Sequence, residues 1–265
     1  MPASPRVKKT RTSGGLAMPE VVAHVSAAAG LFREAAVNAA YERVELPLNT
    51  PVFDQLGVNA CVSCALSGAM GMLDQAAPAL APLFHYYIAR FEGGADGADA
   101  EGNLFLDNAV PTLVASGMCR RDLHPMPFTE AGASSAPSDD ARVDAVSRVQ
   151  DKPTGRLRFE EAGAAASSSW IREKLRDGFP VVLGISLPEG YDECSRRPEF
   201  EWLDPEAPAP SSLRHCVLVT GFNDLRHAIH IRDSRGRHSF GDGHWWMDYR
   251  VVDSPVVLQM YSLGP

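Results

Sequence analysis

The chain is expected to fold as an α+β protein of two lobes with a cleft between them, and three observations carry that expectation. Apolar residues in the front half recur at helical spacing, as in Leu83-Phe84-His85-Tyr86-Tyr87-Ile88-Ala89-Arg90. The rear half is built from short apolar runs such as Phe179 to Leu187 and His215 to Phe222, bounded by turn residues in the manner of strands. A cysteine-bearing turn, Phe53 to Leu66, runs directly into a helical pattern, whereas His215 heads a strand far along the chain. The two chemistry-bearing features therefore sit on different halves.

The elements follow in order. Residues 1 to 18 read as a disordered tail, and Pro19 to Arg43 as an Ala-rich helix with Val22, Val25, Ala29 and Phe32 at helical spacing. Val44 to Phe53, with Pro47 and Pro51, is an extended lead into the turn from Gln55 to Cys61. A helix from about Cys61 to Gln75 comes next. Pro82 suits the first turn of another, since its fixed φ and missing N–H cost nothing there, and the acidic glycine-rich loop from Gly93 to Gly102 ends it. A third helix spans Leu104 to Ser116 and stops at Gly117, a residue fit for a left-handed cap. Thr129 to Ala166 is rich in Ala, Ser, Gly and Pro without a sustained apolar period and reads as a surface excursion between the lobes. Beyond it, Trp170 to Arg176 is helical, and strands are expected at Phe179 to Leu187, His215 to Phe222, Ala228 to Arg232, His244 to Asp248 and Val256 to Tyr261.

Composition narrows the function. The 265 residues suffice for one sizeable domain without disulfides. A formal net charge of -8 argues against a nucleic-acid surface, which needs clustered positive charge; the basic start, Arg6 to Arg11, reads as a solvated tail. Five cysteines with one close pair point away from a disulfide framework and toward a reducing, cytoplasmic location. Apolar stretches near the start are broken by His24, Arg33 and Glu34, so neither a secretory signal nor a membrane span is expected.

A thiol at a helix start and a histidine on a distant strand suit thiolate chemistry, because the helix dipole and an imidazolium both favour the anion. The surrounding residues sharpen this. Asp54-Gln55-x5-Cys61-x3-Ala65-Leu66, then Pro82-Leu83-Phe84-His85-Tyr86-Tyr87-Ile88-Ala89-Arg90, then Arg214-His215-Cys216-Val217-Leu218-Val219-Thr220-Gly221-Phe222, then Ile231-Arg232-Asp233-Ser234-Arg235-Gly236 through Gly243-His244-Trp245-Trp246 form four blocks in one order. Together they resemble the papain-like (C1) cysteine peptidases of bacterial type over about residues 44 to 262. The resemblance implies a papain-like domain over 44–265, after a tail and helix over 1–43. Its helical lobe would span about 54–128, its surface excursion about 129–166, and its antiparallel, β-barrel-like C-terminal lobe about 167–262. It implies Cys61 as nucleophile, His215 as general base and acid, Asp233 as the residue orienting His215, and Gln55 as oxyanion donor with the Cys61 N–H. Peptide or protein would be the substrate, with no cofactor and no metal. The roughly 43 residues before the domain are shorter than a large inhibitory pro-region, so control by location or cleft access is expected.

Departures from the family pattern keep alternatives open. Asp233 stands where the family has asparagine; a carboxylate still orients an imidazole and stabilises its protonated form more strongly. Arg235 replaces the tryptophan that follows, so cover over the His215–Asp233 pair must come from elsewhere, or solvent screens the pair. Leu56 and Asn59-Ala60 replace glycine and Gly-Ser, an altered turn chemistry. A degenerate peptide-binding module fits these departures, and a transamidase or peptide ligase would use the same thioester, which the sequence does not separate from hydrolysis. Cys61-Val62-Ser63-Cys64 also resembles the Cys-Gly-Ser-Cys of plant and animal relatives, which would make Cys64 the nucleophile; the step from Gln55 favours Cys61. As a bare Cys-x-x-Cys, the same residues could be a redox or zinc site, but no βαβ context or further ligand spacing accompanies them. Cys119, Cys194 and Cys216 read as packed thiols, with Cys216 turned from the cleft by strand parity. His227, His230, His238 and His244 cluster without the parity of a metal site. Acidic residues between Pro188 and Pro208 could rim the cleft and favour basic peptides.

Overall fold

The computed structural model describes residues 41–74, 78–94, 97–150, 157–187, 191–202 and 213–264. The chain separates into two units, Met1–Glu42 and Arg43–Pro265, and every element from Arg43 onward belongs to the second. The tail and Ala-rich helix expected over 1–43 lie outside the described residues up to 40; Arg43 already opens strand β1, Arg43–Glu45.

Helix α1, Cys61–Leu73, is the centre of the helical lobe. Every residue from Val62 to Met72 is buried, which explains its small, apolar and glycine-containing sequence. A Cβ on Gly68 would stand 2.5 Å from Leu218 Cδ2, so glycine there lets the helix lie close against the sheet. Helix α2, Pro82–Tyr87, begins on its proline and continues as a wide turn, Ile88–Glu92. It is tied to α1 through a buried histidine. His85 Nε2 lies 2.9 Å from the Ala109 carbonyl and must donate to it, leaving Nδ1 to accept from Ser63 Oγ at 2.8 Å. Burial holds this imidazole neutral, with its pKa pushed down to about 4.

Helix α3, Leu106–Ser116, ends at Gly117 with φ of 71°. The stretch read as a surface excursion, whose local structure the sequence left open, contains two helices: α4, Glu130–Ala133, is capped by Thr129, and α5, Asp139–Gln150, packs on α3. Ala141, Ala145 and Val149 are fully buried, forming an apolar stripe of period four made mainly of alanine. The stripe was hidden because alanine gives little hydropathy contrast. Gly117 also permits this docking, since a Cβ there would meet the Ala145 carbonyl oxygen at 1.9 Å.

The rear of the chain forms the sheet. Strands β2 (Arg158–Glu161), β3 (Val181–Ser186), β4 (Glu201–Trp202), β5 (Arg214–Asn223), β6 (Ala228–Arg232), β7 (His244–Asp248) and β8 (Val257–Gly264) run in the order β2-β8-β3-β5-β6-β7-β4, with β1 paired to β5. Every pairing is antiparallel except the short β4–β7 pair, so the sheet is mixed and very largely antiparallel, as expected of this lobe. All six residues of β3 are buried, because both faces of the sheet are covered there. Cys216 and Leu218 face the helical core; Val217 and Val219 face a second core with Trp170, Ile171 and Leu175 of helix α6, Ser168–Arg176. Two short helices complete the lobe: α7, Tyr191–Ser195, and α8, Tyr249–Val252. Among the described residues no helix is long and apolar enough to cross a membrane.

Candidate active site

The turn before α1 is bound edge to edge to the loop after β6. Gln55 N donates to the Ser234 carbonyl at 2.8 Å, Gly236 N to the Phe53 carbonyl at 2.9 Å, and Asp54 bridges Arg235. Leu56 takes φ of 50°, the left-handed conformation that glycine would adopt cheaply, and its N–H is held by Asp54 Oδ1 at 3.1 Å. The turn thus keeps its shape with the less suitable residue. Gln55 is locked at both ends of its amide: Nε2 donates to the Val58 carbonyl at 3.0 Å, and Oε1 accepts from Ser234 Oγ. One N–H of that amide remains for another acceptor.

Cys61 is the first residue of α1, where unpaired backbone N–H groups and the helix dipole favour an anion. His215 and the backbone N–H groups of Cys216 and Val62 stand close enough to its thiol to favour the thiolate. Burial opposes ionisation, but the adjacent His215 imidazole and its charge outweigh it, and the thiol's pKa lies below the ordinary value. Cys64 is the contrary case. It is buried in the interior beside Cys216, Leu218 and Arg232, and burial pushes its thiol well up. Of the two candidate nucleophiles, the structure brings Cys61 to His215.

His215 Nε2 lies 3.0 Å from Asp233 Oδ1, so Nδ1 is the ring nitrogen left for the thiol. Asp233 is saturated. Oδ1 also accepts the Ser234 N–H at 2.8 Å, while Oδ2 accepts from the Tyr191 hydroxyl and from Trp245 Nε1 at 3.1 Å. Burial would raise this carboxyl's pKa, yet His215 and these donors hold it at about 2. His215 moves oppositely: burial lowers its pKa, and the Asp233 charge and hydrogen bond, aided by Cys61, raise it to about 10.

Of the two alternatives left by Arg235 in place of the tryptophan, cover from elsewhere is the one found. The His215 side chain is 5% exposed and that of Asp233 0%. Cover comes from Tyr191 on α7, whose ring lies 6.1 Å from that of His215, and from Trp245 on β7. Arg235 serves the same end by another route. Its guanidinium lies 4.9 Å from the Tyr191 ring centre and pairs with Asp192, clamping α7 over the site. Tyr191, Trp245 and Ser234 were not picked out from the sequence for these contacts. One signal was available: a buried aspartate in an asparagine's place needs additional hydrogen-bond donors.

The remaining candidates are placed elsewhere. Cys216 faces α1 with Cys64. His230 stacks on Trp246 at 4.4 Å and on His244 at 5.2 Å, on the sheet face opposite the buried Trp245. Within the acidic run, Asp192 is engaged by Arg235 and Glu201 lies 3.8 Å from Arg226, while Glu189, Asp204 and Glu206 lie outside the described residues.

The chain matches no known family profile and no curated protein by sequence. Solved structures do match. Xylellain, a cysteine protease from Xylella fastidiosa, superposes with a TM-score of 0.67 at 23% identity, over 86% of this chain and 88% of its own. The cysteine protease CMS1MS2 of Carica candamarcensis, solved with E-64, gives 0.55 at 16% over 80% and 91%. Digestive procathepsin L 3 of Tenebrio molitor larval midgut gives 0.59 at 15% over 83% and 69%. With its helical lobe packed on one face of a mixed sheet and a thiol–imidazole pair between them, the chain has the papain-like fold.

Proposed function

We propose that the chain is a cysteine peptidase acting through Cys61. The observation that carries this reading is the placement of Cys61 at the head of its helix beside the His215 imidazole, whose far nitrogen is fixed by a buried, saturated Asp233. Such a pair is thiolate and imidazolium before substrate arrives. The thiolate attacks the scissile carbonyl, and the oxyanion is held by the Cys61 N–H and the remaining N–H of Gln55. His215 Nδ1 gives its proton to the leaving amine, which breaks the C–N bond and leaves a thioester on Cys61. Water then attacks that thioester, with the neutral imidazole as base, and the acid is released.

The departures that favoured a degenerate binding module are accommodated: Leu56 holds the turn, and Tyr191, Trp245 and Arg235 supply the cover. Hydrolysis of a fluorogenic peptide library by the wild type, absent in Cys61→Ala, tests the reading. Transfer of the acyl group to an added amine in preference to water, seen in product masses, would replace peptidase by ligase.

A further inference from the structure

The helix end that carries Cys61 carries a second thiol. Cys61 is the first residue of α1 and Cys64 stands one turn on. Residues three apart in an α-helix share a face, with Cα atoms about 5 Å apart from the rise and radius. That separation lies inside the range a disulfide spans. Helical side chains lean toward the start of their own helix, so Cys64 leans over the turn that Cys61 begins. Both also face β5: Cys61 stands beside His215 and Cys216, and Cys64 lines a small cavity with Cys216, Leu218 and Arg232. No cysteine is in a disulfide.

The two thiols have unequal surroundings. Cys61 is partly open to solvent, so a small oxidant reaches it; Cys64 is enclosed and meets only its neighbours. Beside Cys64 stands the buried guanidinium of Arg232, held by the Thr50 hydroxyl and carbonyl, each at 2.8 Å, with no carboxylate pairing among the described residues. Burial pushes the Cys64 thiol well up, and the Arg232 charge opposes part of that rise.

We propose that Cys61 and Cys64 form a dithiol site for hydroperoxides, in which Cys61 is oxidised and Cys64 resolves it as a disulfide. The inference rests on the activated Cys61 of the proposed function. In the first step the Cys61 thiolate attacks the peroxide: the O–O bond breaks, an S–O bond forms, and His215 gives its proton to the departing alkoxide. The sulfur loses two electrons and the peroxide gains them. In the second step the Cys64 sulfur attacks the sulfenic acid, the S–O bond breaks, water leaves with the Cys64 proton, and the S–S bond forms. A dithiol reductant reverses the state by thiol–disulfide exchange. The disulfide removes the nucleophile from peptide chemistry and shields it from irreversible sulfinic oxidation.

The test uses the full chain, reduced and freed of reductant, then treated with hydrogen peroxide, blocked with N-ethylmaleimide and digested with trypsin without reduction. Cys61 and Cys64 fall in one tryptic peptide, Val44–Arg90, and Cys216 in another, His215–Arg226. The expected product is the first peptide lacking two hydrogens, with neither thiol alkylated, restored by dithiothreitol. In Cys64→Ala, Cys61 should instead accumulate as a dimedone-reactive sulfenic acid and pass several-fold faster to acids that dithiothreitol does not restore. Before oxidation, a peptide epoxide should still label Cys61 in that variant. A disulfide joining Cys61 to the Cys216 peptide overturns the proposal, as does oxidation of Cys61 that proceeds equally with and without Cys64; both leave the peptidase reading intact. A Cys61 inert to epoxide and peroxide alike overturns both.

Discussion

Trp245 donates its indole N–H to Asp233 Oδ2 at 3.1 Å, opposite the oxygen that orients His215. An indole N–H only donates, so the group facing it must accept. An asparagine whose carbonyl served His215 and the Ser234 N–H would present its amide hydrogens to Trp245, two donors face to face.

Asp233→Asn is therefore expected to be destabilising, although asparagine is the family's residue. Leaving a buried donor unmatched costs about 1–3 kcal/mol, a fall in Tm of about 2–4 °C per kcal/mol for a domain of this size. Adding Trp245→Phe removes the opposed donor, and thermal unfolding of the double variant should show less than the sum of the two single losses. Additive losses would refute the carboxylate-selecting role of Trp245.

The pH dependence follows from the shifted groups. Cys61 is lowered and His215 raised to about 10, so kcat/KM should rise on an acid limb as Cys61 ionises and stay high until it falls near pH 10. Asp233→Asn should bring the alkaline limb down toward the ordinary imidazole range. For stability, His215 binds its proton more tightly folded than unfolded. Its contribution is fully present below the ordinary imidazole value of 6.5, declines above it, and is lost as pH passes about 10. Asp233 behaves oppositely: its contribution is present above 3.8 and lost as pH falls through about 2. Urea midpoints across pH, in wild type and His215→Ala, check the alkaline decline.

Leu56 is 67% exposed at φ of 50°, so its side chain contributes little burial while its backbone is strained. Left-handed backbone costs an L-residue about 1–2 kcal/mol, and the extra unfolded-state freedom of glycine offsets about 0.5–1 of that. Leu56→Gly should leave stability unchanged or raise it slightly in urea unfolding. A clear loss would show that Leu56 makes a contact on which the turn depends.

Gly117→Ala should behave in the opposite way. It meets both φ of 71° and the Ala145 carbonyl oxygen at 1.9 Å from the added carbon, and left-handed strain with overpacking comes to about 2–5 kcal/mol. Hydrogen exchange should show Asp139–Gln150 losing protection before the sheet does.

Much of this was legible in the sequence for physical reasons. Pro82 and Gly117 mark helix ends through their own backbone geometry, and the unbroken apolar run over 181–186 reads as a strand because both its faces are covered. The meeting of Cys61, His215 and Asp233 was anticipated through the family resemblance of the four blocks that contain them, since a cysteine and a histidine alone would not have pointed to it. Helix α5 was not legible because its buried stripe is largely alanine. Tyr191 and Arg235 were not legible because their contacts join segments more than forty residues apart, and no local period records such a pairing. Leu56 shows tertiary hydrogen bonds overriding local preference.

The central claim is that His215 activates Cys61. It is tested most directly by labelling the folded protein with a peptide epoxide that traps activated thiols and mapping the adduct by mass spectrometry, in wild type, His215→Ala and Cys64→Ala. The account predicts modification at Cys61 alone, abolished in His215→Ala and retained in Cys64→Ala. Modification of Cys64, or labelling of Cys61 that persists without His215, would contradict it.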